Sequence, residues 1–210
     1  MPVKMAGFTA EDYYLTKYST ILVNEGFTVP VWHENGTIGK KKTRKELHVF
    51  SPGTNFNVHE KKEETNTIAC YVVTKHDKGF MKKNPSIYFG CAAIDIFTGN
   101  TKLFQYSITS SNIHNHNVFD ELERFNSIYN PSETIIIHNY DEEKKIDDII
   151  QFAGLQTKSI HVISELIDSD QSRMVEKCEQ QAYQKNILMD FYDDISGIKE
   201  YQLSVDKLMT

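Results

Sequence analysis

The 210-residue chain lacks most of the features that declare a function outright. Its three cysteines, Cys70, Cys91 and Cys178, lie far apart and never form a C-x-x-C pair. That spacing argues against a zinc site or a disulfide framework and for reduced thiols inside a cell. No apolar run approaches the roughly 18 residues of a membrane span, and the N-terminus lacks the apolar core of a signal peptide. No G-x-x-x-x-G-K-[ST] phosphate loop occurs. Positive charge is short as well: 23 Lys and Arg stand against 29 Asp and Glu, a net charge of −6. Nucleic-acid binders draw affinity from phosphate neutralisation. Any DNA binding is therefore expected to be weak and confined to a local patch.

What is present is patterned. Hydrophobic residues at 40% and charged residues at 25% describe an ordinary globular chain, long enough for one large domain or two small ones. Tyr88–Ile96 is a nearly unbroken apolar run with small residues at Gly90, Ala92 and Ala93, and it reads as a strand. Thr98-Gly-Asn-Thr101 supplies turn chemistry at Gly99 and Asn100, after which Leu103, Phe104 and Tyr106 resume the β pattern. Thr67–Thr74 reads as a preceding strand and Lys75–Pro85 as a charged hairpin loop. Asn117 is the expected cap of a helix over Val118–Tyr129, with Val118, Leu122, Phe125 and Tyr129 as its apolar stripe. Glu133–His138 is continuously apolar, as in a parallel strand covered on both faces. Asp141 is the expected cap of a second helix, and Ser159–Ile163 reads as a fifth strand. The order β-β-β-α-β-α-β, a meander continuing into right-handed crossovers, predicts an α/β chain with a ribonuclease-H-like mixed sheet.

The flanks read differently. Thr9 is placed to cap a helix over Ala10–Asn24 that Gly26 stops, followed by a strand Phe27–Trp32 with Trp32 expected in the core. His33–Lys45 reads as a polar loop, with Lys40, Lys41, Lys42, Arg44 and Lys45 crowded into six positions. Those residues are either a solvated loop or a set of phosphate contacts on DNA. Leu47–Phe50 is a short strand, and Ser51-Pro-Gly-Thr54 carries type II turn residues. Toward the C-terminus, Asp168 or Ser169 caps a long helix to about Tyr192, and Ile198–Met209 begins another. The expected organisation is a small partial α/β domain over 1–56, a linker over 57–66, the ribonuclease-H-like domain over 67–167, and the start of a helical domain over 168–210.

Several of these segments resemble the MutS mismatch-recognition family. Met5-Ala-Gly-Phe8 with the helix to Gly26 and the strand Phe27–Trp32 resembles the second half of its mismatch-binding domain. Lys42-Thr-Arg-Lys-Glu-Leu-His-Val-Phe-Ser-Pro-Gly-Thr54 resembles its R-x-(I/V)-x-x-(T/S)-P-G-T segment. Gly90-Cys-Ala-Ala-Ile-Asp-Ile-Phe-Thr-Gly99, Phe119–Phe125 and Tyr129–Ile137 are similar to its connector domain. The resemblance implies part of a repair protein that binds mismatched duplex DNA, docks a MutL-like partner and dimerises through C-terminal regions outside this chain. ATP and Mg would belong to an ATPase domain that this chain does not contain. The family's Phe-x-Glu wedge lies upstream of Met-Ala-Gly, and only four residues precede Met5. The implied reading is thus a fragment, and the alternative is a stand-alone module that docks a MutL-like partner without binding DNA.

The ribonuclease-H-like order also invites a nuclease, which needs several carboxylates around two divalent ions. Thr67–Thr74 holds no acid, the fourth strand ends in His138-Asn139, and Glu121 and Glu123 share one helix. Asp95 reads as a turn residue accepting N–H bonds near Thr98-Gly99, and His114-Asn-His116 reads as a loop. The expectations are therefore no catalytic residue, no metal ligand and no cofactor in this chain. It is expected not to be an enzyme, and to act inside a cell, with DNA, through Lys40, Lys41, Lys42, Arg44 and Lys45.

Overall fold

The computed structural model describes residues 7, 12–38, 41–54, 66–76, 86–109, 115–140, 143–157 and 159–192. The chain divides into two units, Met1–Ile163 and Ser164–Thr210. Met5, Thr9, Asp141, His114, the loops over 55–65 and 77–85 and the helix expected over Ile198–Met209 lie outside the described residues.

The first unit opens with helix α1, Asp12–Asn24. Gly26 at φ +90° ends it, with Gly26 N–H donating to Val23 O at 2.9 Å and Phe27 N–H to Leu22 O at 3.0 Å. This paired closure depends on a residue that tolerates the left-handed region. Strands β1, Val29–Ile38, and β2, Lys41–Phe50, then pair antiparallel. The polar loop expected over His33–Lys45 is thus the body of a hairpin. Its polarity reflects two solvated faces, not the absence of a strand.

Five further strands build the main sheet: β3, Thr67–His76; β4, Ser86–Asp95; β5, Thr101–Thr109; β6, Glu133–His138; and β7, Ser159–Ser164. Their order across the sheet is β5-β4-β3-β6-β7. β3 pairs antiparallel with β4 and β4 with β5, while β3 pairs parallel with β6. The α/β expectation with a five-stranded mixed sheet is therefore met. Helix α2, Asp120–Tyr129, connects β5 to β6, and α3, Glu143–Phe152, connects β6 to β7.

Alternation along the strands decides which face is covered. Ala69, Tyr71 and Val73 of β3, Ile87, Phe89 and Cys91 of β4, and Ile136 of β6 are buried together with Leu122 and Phe125 of α2 and Ile149 of α3. Phe89 stacks flat on Tyr106 at 4.3 Å between ring centres and meets Phe119 edge-on at 5.6 Å. The buried Tyr71 hydroxyl in this layer donates to Asn126 Oδ1 at 2.9 Å, which satisfies that donor. The expected cap Asn117 is displaced. Asn115 instead accepts from Asn117 N–H at a single 3-10 turn, His116–Val118, and Phe119 precedes α2 without a side-chain cap.

In the second unit the long helix expected to Tyr192 is two helices, α4, Asp170–Glu179, and α5, Gln181–Phe191. Ser169 caps α4 in a reciprocal box with Ser172. Gln180 is extended, with φ −76° and ψ 118°. The Gln184 side chain donates to Cys178 O at 2.6 Å, which satisfies a carbonyl the break leaves open. The apolar spacing continues through Gln180, so sequence periodicity carries no sign of the break. Among the described residues no helix is long and apolar enough to cross a membrane.

Candidate nucleic-acid interface

The β1–β2 hairpin is a ribbon with solvent on both sides. Lys42, Arg44 and Lys45 are exposed along β2. Lys41 opens that strand opposite Ile38, its side chain outside the described ones, and Lys40 lies outside the described residues altogether. Lys42 Nζ pairs with Glu34 Oε1 at 3.0 Å, an exposed contact that adds little stability. Arg44 and Lys45 form no ion pair among the described residues, which leaves both charges available to an anion. The structure thus brings the described members of the basic cluster onto one strand, where pleating fixes which way each points.

Two irregularities shape the ribbon. Register shifts fall between Val31 and Trp32 and between Glu34 and Thr37. At the second, Gly36 takes φ +97° and the Thr43 hydroxyl donates to Asn35 O at 3.1 Å and Gly36 O at 3.0 Å. Between the shifts lie three regular pairs, Trp32↔Glu46, His33↔Lys45 and Glu34↔Arg44. Alternation places Trp32, Glu34, Arg44 and Glu46 on one face and His33 and Lys45 on the other. Trp32, expected in the core, is 55% exposed on the ribbon.

The ribbon is anchored at the end of β2. Ser51 Oγ and Gly53 N–H each donate to Glu133 Oε2 at 2.7 Å. His161 Nε2 lies 2.6 Å from the other oxygen, Oε1, and 3.2 Å from Ser159 Oγ. Glu133 is only 8% exposed, and these partners occupy both of its oxygens. Asn66 adds a second tie, donating to Pro52 O and Gly53 O at 3.2 Å each, while Ser132 donates to the Asn66 carbonyl oxygen. One His161 nitrogen faces both Ser159 and the carboxylate, and Ser51 bonds the carboxylate directly. A proton cannot pass from serine through histidine to acid in that arrangement, so the group acts as a clamp. Sequence reasoning missed Glu133 and His161. The only signal was a lone acid opening an otherwise apolar strand.

The remaining sequence candidates sit apart from the ribbon tip. The Asp95 carboxylate accepts from Thr98 Oγ1 at 2.7 Å, Phe97 N–H at 3.1 Å and Asn66 N–H at 3.3 Å. These bonds, the Thr98 hydroxyl foremost, hold its carboxyl below the usual carboxylate value. His116 packs against Phe152 at 4.0 Å between ring centres. His138, buried at the end of β6, accepts from Tyr140 N–H at Nδ1, and loss of solvent lowers its pKa.

No protein-family description matches the chain, and no curated protein matches it. Among solved structures the chain is similar to the fowlpox virus Holliday junction resolvase. Identity is 18%, 60% of this chain and 86% of that chain are covered, and the TM-score is 0.29. No family description, curated protein or solved structure among these supports the MutS resemblance, which is corrected together with the mismatch-repair role and the alternative of a MutL-docking module. The expectation that the chain is not an enzyme is withdrawn as well. The physical reason lies in the motifs. Ser51-Pro-Gly-Thr54 closes through Thr54 N–H to Ser51 O at 3.1 Å, and Asp95 to Gly99 closes through Gly99 N–H to Asp95 O at 2.8 Å. Both are local turn solutions that any hairpin needing them can adopt. A missing phosphate loop and an acid-free strand speak only to two particular chemistries, and leave other enzymes open.

Proposed function

We propose that this chain is a nucleic-acid-binding protein built on a ribonuclease-H-like sheet, and that it grips phosphates through the β1–β2 ribbon. The observation that supports this most is the exposed Arg44 and Lys45, without an ion pair among the described residues, beside Lys42 on one strand of a chain whose net charge is −6. A charge distribution so opposed to the average has no role in holding the fold, since exposed cations contribute almost nothing to stability. It does match what phosphate neutralisation needs. The clamp at Glu133 supports the same reading, because it fixes the base of the ribbon, and with it the strand that carries the cations, to the parallel strand β6. The order β5-β4-β3-β6-β7, with β3 and β6 parallel, supports the sheet assignment. Site residues on this reading are Lys42, Arg44 and Lys45, with Lys40 and Lys41 continuing the patch in sequence.

The test is fluorescence anisotropy with a labelled oligonucleotide across a salt series. Wild type is expected to bind weakly, with a non-specific dissociation constant on the order of micromolar. Arg44→Ala with Lys45→Ala is expected to weaken binding at least tenfold and to lower the salt slope by roughly 2, about one unit per lost contact. Binding that the double variant leaves unchanged would sink the proposal.

A further inference from the structure

We infer that the ribbon takes single-stranded nucleic acid, with a base stacked on Trp32; this rests on the phosphate-gripping reading and specifies its substrate. Trp32 is the only tryptophan in the chain, is 55% exposed, and forms the first regular pair after the register shift at Val31. Burial explains a large aromatic there only in part, since more than half of the residue stays in contact with solvent.

Its surroundings do point to a ligand. Trp32 stands opposite Glu46, and the next pair along the same face is Glu34↔Arg44. Arg44 is thus the diagonal neighbour of Trp32, roughly 7–8 Å away, which long side chains span. Lys42 neutralises Glu34 at 3.0 Å, so the uncompensated charges on this face are Arg44 and Glu46. Glu46, directly opposite Trp32, repels a phosphate from that position, and Arg44, one step along the same face, attracts one. A strand lying along the face would therefore set its phosphate at Arg44 and a base over Trp32. This pairing of a cation with an aromatic platform is what sequence-tolerant binding of single strands requires. A duplex meets the same face poorly, because its base planes are occupied by one another and only edges and phosphates are free. Bringing a paired base to Trp32 would cost the energy of unstacking it.

Since Trp32 is the sole indole, its emission reports this one position. Wild type is titrated with a short oligothymidylate and with a duplex of equal length, each followed by Trp32 fluorescence and by anisotropy. The expected result is quenching by the single strand and tighter binding to it than to the duplex. Trp32→Ala is expected to lose on the order of tenfold affinity for the single strand and little for the duplex, and Trp32→Phe to recover part of the loss. Single strands that bind without quenching, together with a Trp32→Ala protein that binds them as well as wild type, would overturn the inference. In that outcome a loss in Arg44→Ala with Lys45→Ala still upholds phosphate gripping. If wild type binds neither probe in a salt-dependent way, the functional reading falls and takes this one with it.

Discussion

The β1–β2 and β3–β4 hairpins are built from strands of 10 residues each, yet they live in opposite environments. In β3 and β4 every second side chain enters the core, with Ala69, Tyr71 and Val73 facing Ile87, Phe89, Cys91 and Ala93 across the same layer. In β1 and β2 the large apolar residues Trp32, Leu47 and Val49 are exposed. One hairpin is held by burial and the other by its backbone ladder and its anchored end. A two-stranded hairpin by itself is marginal in water. The β1–β2 ribbon persists because Ser51 and Gly53 tie its end to Glu133. A segment that gains so little from the core is free to be shaped for a second molecule.

The comparison can be broken most directly by truncating one apolar side chain on each side of it. Leu122→Ala, in the layer that covers β3 and β4, is expected to cost about 2–5 kcal/mol in urea denaturation, while Val49→Ala on the ribbon stays within about 0.5 kcal/mol. Comparable losses in the two variants would mean that the ribbon is part of the core after all.

A smaller effect sharpens the role of the clamp. A Cβ added at Gly53 would stand 2.6 Å from Ile68 Cγ1 and crowd the Glu133 carboxylate. Gly53→Ala is therefore expected to cost roughly 1–3 kcal/mol through overpacking, and to speed hydrogen exchange of the β2 amides relative to those of β3. Unchanged exchange in β2 would show that the ribbon does not depend on this anchor.

The gentlest test uses pH on the sheet alone. Burial holds the His138 imidazole below its ordinary value of 6.5, so the folded protein resists the proton that the unfolded chain accepts. The unfolded state then binds more protons as pH falls through that value, and stability declines toward acid. Stability is complete above the unfolded value and drops as pH falls toward the lowered folded one. The urea midpoint of His138→Gln is expected to fall less steeply over the same range, whereas parallel profiles would remove His138 as the cause.

How much of this was legible in the sequence follows the same division. Strands β3 to β7 announce themselves because burial writes an apolar pattern, and the positions of Tyr71, Phe89 and Ile136 can be read from it. The ribbon does not, since Lys41 to Glu46 has no apolar alternation and its ladder leaves no trace in residue types. Trp32 was expected inside because large aromatics usually are. Only the pairing with Glu46 shows that its face is open. Of the interface, the cationic positions were visible as a cluster, though not as a strand. The clamp was invisible for a different reason: Ser51 and Glu133 are 82 residues apart, and no local pattern encodes a contact of that range.

Glu133 also has a consequence for how related chains can vary. Its two oxygens are shared among Ser51, Gly53 and His161, so an apolar or shorter residue at 133 leaves these three groups without their partner in a confined space. Substitution there is tolerable only in concert, with the donor at 51 and the ring at 161 changing in the same lineage. These positions, scattered across more than half of the polypeptide, should therefore covary as one character when sequences of this kind are aligned.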